Sequence, residues 1–187
     1  MSKKNMQITE SGNNEWYTPE QYINSAKDVM GQIDLDPASN DIAQKHINAK
    51  KYYTAKDDGL LYKWVGTVWL NPPYSRGLMN KFIEKLISES EVKSYICLVN
   101  SSTDTCWCHK LMDDSDGMCL TKGRISFLDE NGIKSKGNSR GQIFFYKGVG
   151  FKCFEKEFKK YGKVVRLKWD TIYGFWNNCG SFRRIKP

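Results

Sequence analysis

The feature that most constrains this chain is an abrupt stop. The β-branched and aromatic run Thr67-Val68-Trp69-Leu70 ends directly at Asn71-Pro72-Pro73-Tyr74. The run reads as a buried strand. Two successive prolines remove two backbone donors and hold φ at about −65°, so the strand cannot continue past Leu70. Helical spacing resumes at Leu78, with Leu78, Phe82 and Leu86 beside Met79, Ile83 and Ile87, and runs to Ser88. Strand, sharp turn and helix in that order is the unit from which parallel sheets are built.

The same alternation extends to both sides. Thr18-Pro19-Glu20-Gln21 has a hydroxyl cap, proline at the first helical position and Gln at the third, a capping box for a helix that Gly31 ends. A short strand, residues 32–35, stops at Asp36-Pro37-Ala38-Ser39-Asn40. A modest helix over 42–49, a short strand over 51–54 and an Asp57-Asp58-Gly59 turn follow. Downstream, strands are expected at 94–99, 117–120, 124–128, 142–146 and 163–167, with helices at 105–112 and 151–161. The polar stretch from Asp129 to Gly141 reads as an exposed loop or hairpin. The expectation is one α/β domain over 1–187, a mainly parallel central sheet with helices on both faces, with a polar lead over 1–13 and a basic aromatic tail over 168–187. The short interval from Asp36 to Asn71 has less room than two full strand-helix units occupy, so the sheet should be abbreviated at that edge.

Composition narrows the function classes. With 40% hydrophobic and 27% charged residues, the chain has enough apolar surface to bury a core. No apolar run approaches the ~20 residues needed to cross a bilayer, and the opening residues lack a signal-peptide stretch, so no membrane partner and a cytoplasmic location are expected. The net charge is +8. That surplus lies between Lys147 and Pro187, where 11 basic residues face 3 acidic ones. Tyr161, Trp169, Tyr173, Phe175, Trp176 and Phe182 are interleaved with them, which suits phosphate neutralisation with base stacking, or equally a solvated helix face and a tail packed through its rings. Six cysteines include no C-x-x-C pair, and Cys106-x-Cys108-His109 is the nearest approach to a metal cluster. Reduced thiols and no metal are expected.

The Asn71-Pro72-Pro73-Tyr74 turn suits methylation of a planar amino group. Such a nitrogen is a poor nucleophile because its lone pair is delocalised. The Asn71 side-chain oxygen and the Pro72 carbonyl can hold both amino hydrogens and favour an out-of-plane lone pair as the new bond forms. Pro73 stiffens the bend, and the Tyr74 ring can stack on a base. In open α/β sheets this is also where ligands bind, beyond the carboxyl ends of the strands. A Pro-Pro turn with a packed tyrosine is the structural alternative.

Six segments, in this order and spacing, carry a family resemblance from Asn14 to about Leu167. They are Glu15-Trp16-Tyr17-Thr18-Pro19, Ile33-Asp34-Leu35-Asp36-Pro37-Ala38-Ser39, Tyr52-Tyr53-Thr54 with Asp57-Asp58-Gly59-Leu60, Val68-Trp69-Leu70-Asn71-Pro72-Pro73-Tyr74, Leu98-Val99-Asn100 with Thr103-Asp104, and Lys122-Gly123-Arg124-Ile125-Ser126-Phe127. The chain resembles the N6-adenine DNA methyltransferases of phages and prophages, the short Dam-like group.

The resemblance implies an abbreviated Rossmann-like fold, S-adenosylmethionine as cofactor, DNA as partner, and action in the bacterial host cytoplasm on a flipped adenine. It implies that Asn71, Pro72, Pro73 and Tyr74 are catalytic, and that Trp16, Tyr17, Thr18, Pro19, Asp36, Pro37, Ala38, Ser39 and either Asp57 or Asp58 bind the cofactor. A turn role suits either aspartate equally, and the 36–39 loop departs from the G-x-G pattern of many methyltransferases. Lys122, Arg124, Lys134, Lys136, Arg140 and Gln142 are candidates for DNA contact. The rival readings are an N4-cytosine or protein-glutamine N5 methyltransferase and a non-catalytic DNA-binding module on the same scaffold.

Overall fold

The computed structural model describes residues 17–75, 77–134 and 138–168. The expected lead over 1–13 and the tail aromatics from Trp169 onward lie outside the described residues. In chain order the elements are helix α1 (Glu20–Met30), strand β1 (Leu35–Asp36), α2 (Asp41–Ile47), β2 (Lys51–Tyr52), a 3-10 turn (Gly59–Leu61), β3 (Gly66–Leu70), α3 (Leu78–Ser88), β4 (Val92–Asn100), α4 (Cys106–Asp114), β5 (Gly117–Thr121), β6 (Gln142–Lys147), α5 (Phe151–Phe158) and β7 (Gly162–Arg166).

The strands form one sheet in the order β2-β1-β3-β4-β6-β5-β7. Pairing from β2 through β4 is parallel, and the pairs β4–β6, β6–β5 and β5–β7 are antiparallel. The sheet is therefore mixed, which corrects the expectation of a mainly parallel one. The cause is two strands that run against the rest: β6, which inserts between β4 and β5, and β7, at the far edge beside β5. The abbreviated edge is as expected: β1 and β2 contribute two residues each.

Side-chain alternation on the central strands builds two cores. Val68, Leu70, Tyr95, Cys97, Val99, Ile143 and Phe145 face α3 and α4 through Met79, Phe82, Ile83, Leu86, Cys108 and Leu111. Trp69, Ile96, Leu98, Phe144 and Tyr146 point the other way, onto Ile23 and Ala26 of α1, Ile47 of α2 and Phe154 and Phe158 of α5. Period-2 alternation within unbroken apolar strands produces this double burial, and helices cover both faces as expected.

Three sequence expectations are corrected. Residues 124–128 form no strand: Ile125 and Phe127 are buried, but the Ile125 N–H donates to Gln142 Oε1 at 3.0 Å and its carbonyl accepts from Asn138 Nδ2 at 2.9 Å. Side-chain amides thus take the places a neighbouring strand would fill. Thr18 does not cap α1; Pro19 occupies the cap position in extended geometry, with no side-chain cap hydrogen bond. Tyr161 is no free stacking platform, because it packs on Tyr22 and Phe158 and its hydroxyl meets Ser25 and Gln21, tying α5 to α1.

Register determines where the site lies. Leu35 is level with both Lys51 and Val68. The chain therefore leaves β1, β2 and β3 at one carboxyl-terminal edge, and the segments 36–40, 53–58 and 71–74 converge there.

Candidate active site

These convergent turns enclose a cleft of about 400 Å³. Its walls come from Tyr17 and Thr18 ahead of α1, from residues 36–40 after β1, from Thr54, Ala55, Asp58 and Gly59 after β2, and from Asn71, Pro72, Pro73 and Tyr74 after β3. Trp69, Ala43, Ile47, Leu78 and Phe82 supply apolar lining. Pockets at parallel strand ends form because each chain must turn away from the sheet there.

Asn71 is held from two sides. Its Nδ2 donates to Thr18 Oγ1 at 3.4 Å, which turns Oδ1 the other way; there Oδ1 accepts the Tyr74 hydroxyl at 3.3 Å. A carbonyl oxygen has two lone pairs, so one acceptor site on Oδ1 stays available. Pro72 is buried, and among the described residues no donor is bonded to its carbonyl. Burial pushes the Tyr74 phenol well above its ordinary pKa, helped by the neighbouring Cys97, so it remains a donor while 36% of the residue stays exposed at the cleft.

Asp36 is 1% exposed. Burial raises its carboxyl to a pKa of about 7, opposed by hydrogen bonds from Ser39, the Ala38 N–H and Gln44. All of these donors are neutral. Asp58 also lines the cleft; it sits in the left-handed region at φ 54° and its carboxylate accepts from Leu60 N. Asp57 does not line it. The Thr54 backbone N–H and hydroxyl hold the Asp57 carboxylate and lower its pKa, the ordinary chemistry of a turn. The paired aspartates, equivalent in the sequence, thus have different surroundings.

Gly59 makes this arrangement possible. A Cβ there would lie 2.1 Å from the Pro37 carbonyl oxygen, so only glycine lets the Asp58 turn approach the 36–39 loop so closely. Trp64 Nε1 fixes the same turn by donating to the Gly59 carbonyl at 2.8 Å.

The electrostatics of the cleft oppose those of the chain. In a protein of net charge +8, the ionisable acids of the cleft are Asp36 and Asp58, and among the described residues no Lys, Arg or His lines it. An uncompensated buried carboxylate is costly unless a cation joins it, so the cleft fits a ligand with positive charge and repels phosphate. Among the described residues no group of His, Cys, Asp and Glu could hold a metal ion. The five described cysteines are free thiols, with burial raising Cys108 to about 11 and Cys119 to about 12; Cys179 lies outside the described residues.

The other expected residues are placed as follows. Trp16 and Lys136 lie outside the described residues. Pro19 starts α1 and does not line the cleft, and of the fifth family-like segment Asn100, Thr103 and Asp104 lie outside it too. Lys122, Arg124, Lys134 and Arg140 are exposed. Their segment is joined to the cleft wall by paired backbone hydrogen bonds between Leu128 and Tyr17, at 2.8 and 3.1 Å. Gln142 is corrected: it is 1% exposed and its amide bonds Ile125 N, the Arg140 carbonyl and Asn100 Oδ1, so it offers no edge to a base. The sequence reading missed Gln44, which bonds both Asp36 and Ser39; its position eight residues after Asp36 on a helix facing the loop was the available signal.

Residues 5–166 match the family described as DNA N-6-adenine-methyltransferase (Dam), well over half of the chain. The chain belongs to that family, as the six segments suggested. A protein of Escherichia phage T1 named DNA N-6-adenine-methyltransferase is 29% identical over 150 residues, covering 70% of this chain and 60% of the T1 protein. The match thus spans about three fifths of that relative's length. A protein of the same name from Haemophilus phage HP1 (strain HP1c1) is 28% identical over 155 residues, covering 76% of this chain and 82% of the relative. Among the described residues no helix is long and apolar enough to cross a membrane.

Proposed function

We propose that this protein methylates the exocyclic N6 of adenine in DNA, with S-adenosylmethionine as donor, on one Rossmann-like methyltransferase domain acting in the cytoplasm of a bacterial host. The observation that carries the reading is the juxtaposition, in one cleft, of the Asn71-Pro72-Pro73-Tyr74 turn with the buried carboxyl of Asp36 and with Asp58. Family membership and the names of the two phage relatives support adenine N6 as the acceptor.

S-adenosylmethionine, when bound, supplies a methyl group activated by a sulfonium. Asp36, Pro37, Ala38 and Ser39 would hold its amino-acid end, with Asp36 facing the ammonium group, and Asp58 would accept from its adenine. The chain's own residues do the rest. Asn71 Oδ1 and the Pro72 carbonyl bind the two amino hydrogens of the target base. As nitrogen takes on the methyl group, those hydrogens become more acidic and the two hydrogen bonds strengthen, which favours the transition state over the ground state, and one of the two hydrogens then leaves to water as a proton. Tyr74 stacks on the extruded base, and stacking worth on the order of 1–3 kcal/mol offsets the roughly few kcal/mol cost of flipping. Holding two reactants together supplies much of the remaining acceleration. Lys122, Arg124, Lys134 and Arg140, near the cleft wall through Leu128, neutralise DNA phosphates outside the acidic pocket.

Mass spectrometry of nucleosides, after incubating the protein with unmethylated DNA and S-adenosylmethionine, tests the reading. N6-methyladenine is expected. N4-methylcytosine, or no modified base from a protein that binds the donor, overturns it.

A further inference from the structure

Gln44 lies on α2 outside every motif that the sequence marks, yet its side chain is fully engaged. Nε2 donates to Asp36 Oδ2 at 2.9 Å and to Ser39 Oγ at 2.8 Å, while Oε1 accepts from Ala49 N at 2.9 Å. Because Ser39 Oγ accepts from Gln44, its own hydrogen is free to point at the Asp36 carboxylate, and Ser39 is among the groups that hydrogen-bond that carboxylate.

We infer that Gln44 is a positioning residue of the methyl-donor site, closing Gln44, Ser39 and Asp36 into one hydrogen-bonded ring that presents a prearranged carboxylate to a cationic ligand group. The inference rests on reading the cleft as the S-adenosylmethionine site. Its physical basis is that a buried carboxylate with no cation must be supported by neutral donors if it is to ionise at all. Arg or Lys at position 44 would neutralise Asp36 and abolish its pull on a ligand cation, whereas an amide supports the charge without cancelling it. The Oε1 bond to Ala49 anchors the amide to the chain just past the C-cap of α2, so the ring is held by the exit from the helix as well as by the 36–39 loop.

The charged and titratable groups around Asp36 are few. Asp58, Tyr17 and Tyr74 line the cleft with it; Asp41, Lys45 and His46 of α2 and Lys51 of β2 are exposed. None of them is a cause of the shift at Asp36, so burial, the ring and the Ala38 N–H set its titration.

The test follows the Asp36 carboxyl carbon by NMR pH titration in ligand-free protein and measures S-adenosylmethionine binding by calorimetry across the same pH range. Gln44→Leu removes both donations, and the Asp36 midpoint is expected to rise by about one to two pH units, the range set by a lost hydrogen bond to a charged group. Donor affinity at pH 6.5 should fall roughly tenfold or more and recover as pH passes the new midpoint. Gln44→Glu keeps the length and an acceptor for Ala49 N while replacing the donor with a second carboxyl; its midpoint should rise too, and it decides the question if the leucine variant does not fold. An unchanged Asp36 midpoint in either folded variant overturns the inference, as does an affinity loss of equal size at every pH, which is what a merely structural role would produce. If the wild-type protein binds no donor at any pH while its Asp36 midpoint responds to Gln44, the reading of the cleft has failed and the ring itself has not.

Discussion

Asn71 and Thr18, 53 positions apart, meet where the turn after β3 faces the chain entering α1, with Asn71 Nδ2 donating to Thr18 Oγ1 at 3.4 Å. Together with the Tyr74 hydroxyl on Oδ1, the contact orients the Asn71 amide, and on the proposed mechanism it helps to set which end faces the target. With Nδ2 engaged, the remaining acceptor site on Oδ1 is left for an incoming amino group, whereas an amide held by Tyr74 alone would offer its NH2 to that group part of the time. Thr18→Val should lower kcat about three- to tenfold, the kinetic equivalent of one modest hydrogen bond, with little change in KM for the donor. Thr18→Ser should restore it. Steady-state methylation of DNA by the three proteins checks this split.

Asp36 ties pH to stability. Its folded pKa, about 7, lies above the ordinary 3.8, so the folded protein holds a proton that the unfolded chain gives up. The sign follows: the contribution of this group to stability is greatest below about pH 4, falls as pH rises toward 7 and is flat above, a span on the order of 4 kcal/mol. Asp36→Asn should flatten that part of the profile and stabilise the ligand-free protein at pH 8, while weakening donor binding. Denaturant melts at several pH values, with and without S-adenosylmethionine, measure both effects.

Gly59→Ala tests the close approach of the two loops. A methyl group 2.1 Å from the Pro37 carbonyl cannot be accommodated without moving one wall of the cleft. A destabilisation of at least about 1–3 kcal/mol by urea titration is expected, with weaker donor binding in the folded fraction. Gly132→Ala, which has open space around it but φ 76°, should cost about 1 kcal/mol and leave donor binding unchanged.

The exposed basic residues should act through phosphate alone. Arg124→Ala and Lys134→Ala are expected to weaken DNA binding evenly across sequences, each reducing the slope of log affinity against log salt by about 1. Donor affinity should be unaffected, because neither residue lines the acidic cleft. Fluorescence anisotropy over a salt series reports both.

The parts of the molecule legible in the sequence are those with strong local signals. Trp69 and Leu70 stopped by Pro72 and Pro73 mark β3 and its turn, and the spacing of Leu78, Phe82 and Leu86 marks α3 with its observed bounds. Partners distant in the chain were hidden. Nothing local distinguishes β6 from β5, so the insertion of β6 beside β4 follows only from packing. The apolar run around Ile125 and Phe127 looks like a strand, yet Gln142 and Asn138 take up its backbone groups, and that same duty removes Gln142 from the DNA surface. Thr18 looks like a cap because the local pattern is that of a capping box; its true partner, Asn71, lies across the cleft. Gln44 carries no motif at all.

The measurement that bears most directly on the central claim is the single-turnover rate of methyl transfer to DNA by Asn71→Ala, with donor saturating and enzyme in excess over DNA. If the Asn71 carbonyl grips the amino group in the transition state, the rate should fall by about 10²–10³, the usual cost of removing one such group, while the donor still binds. A rate within a few-fold of wild type would contradict the account.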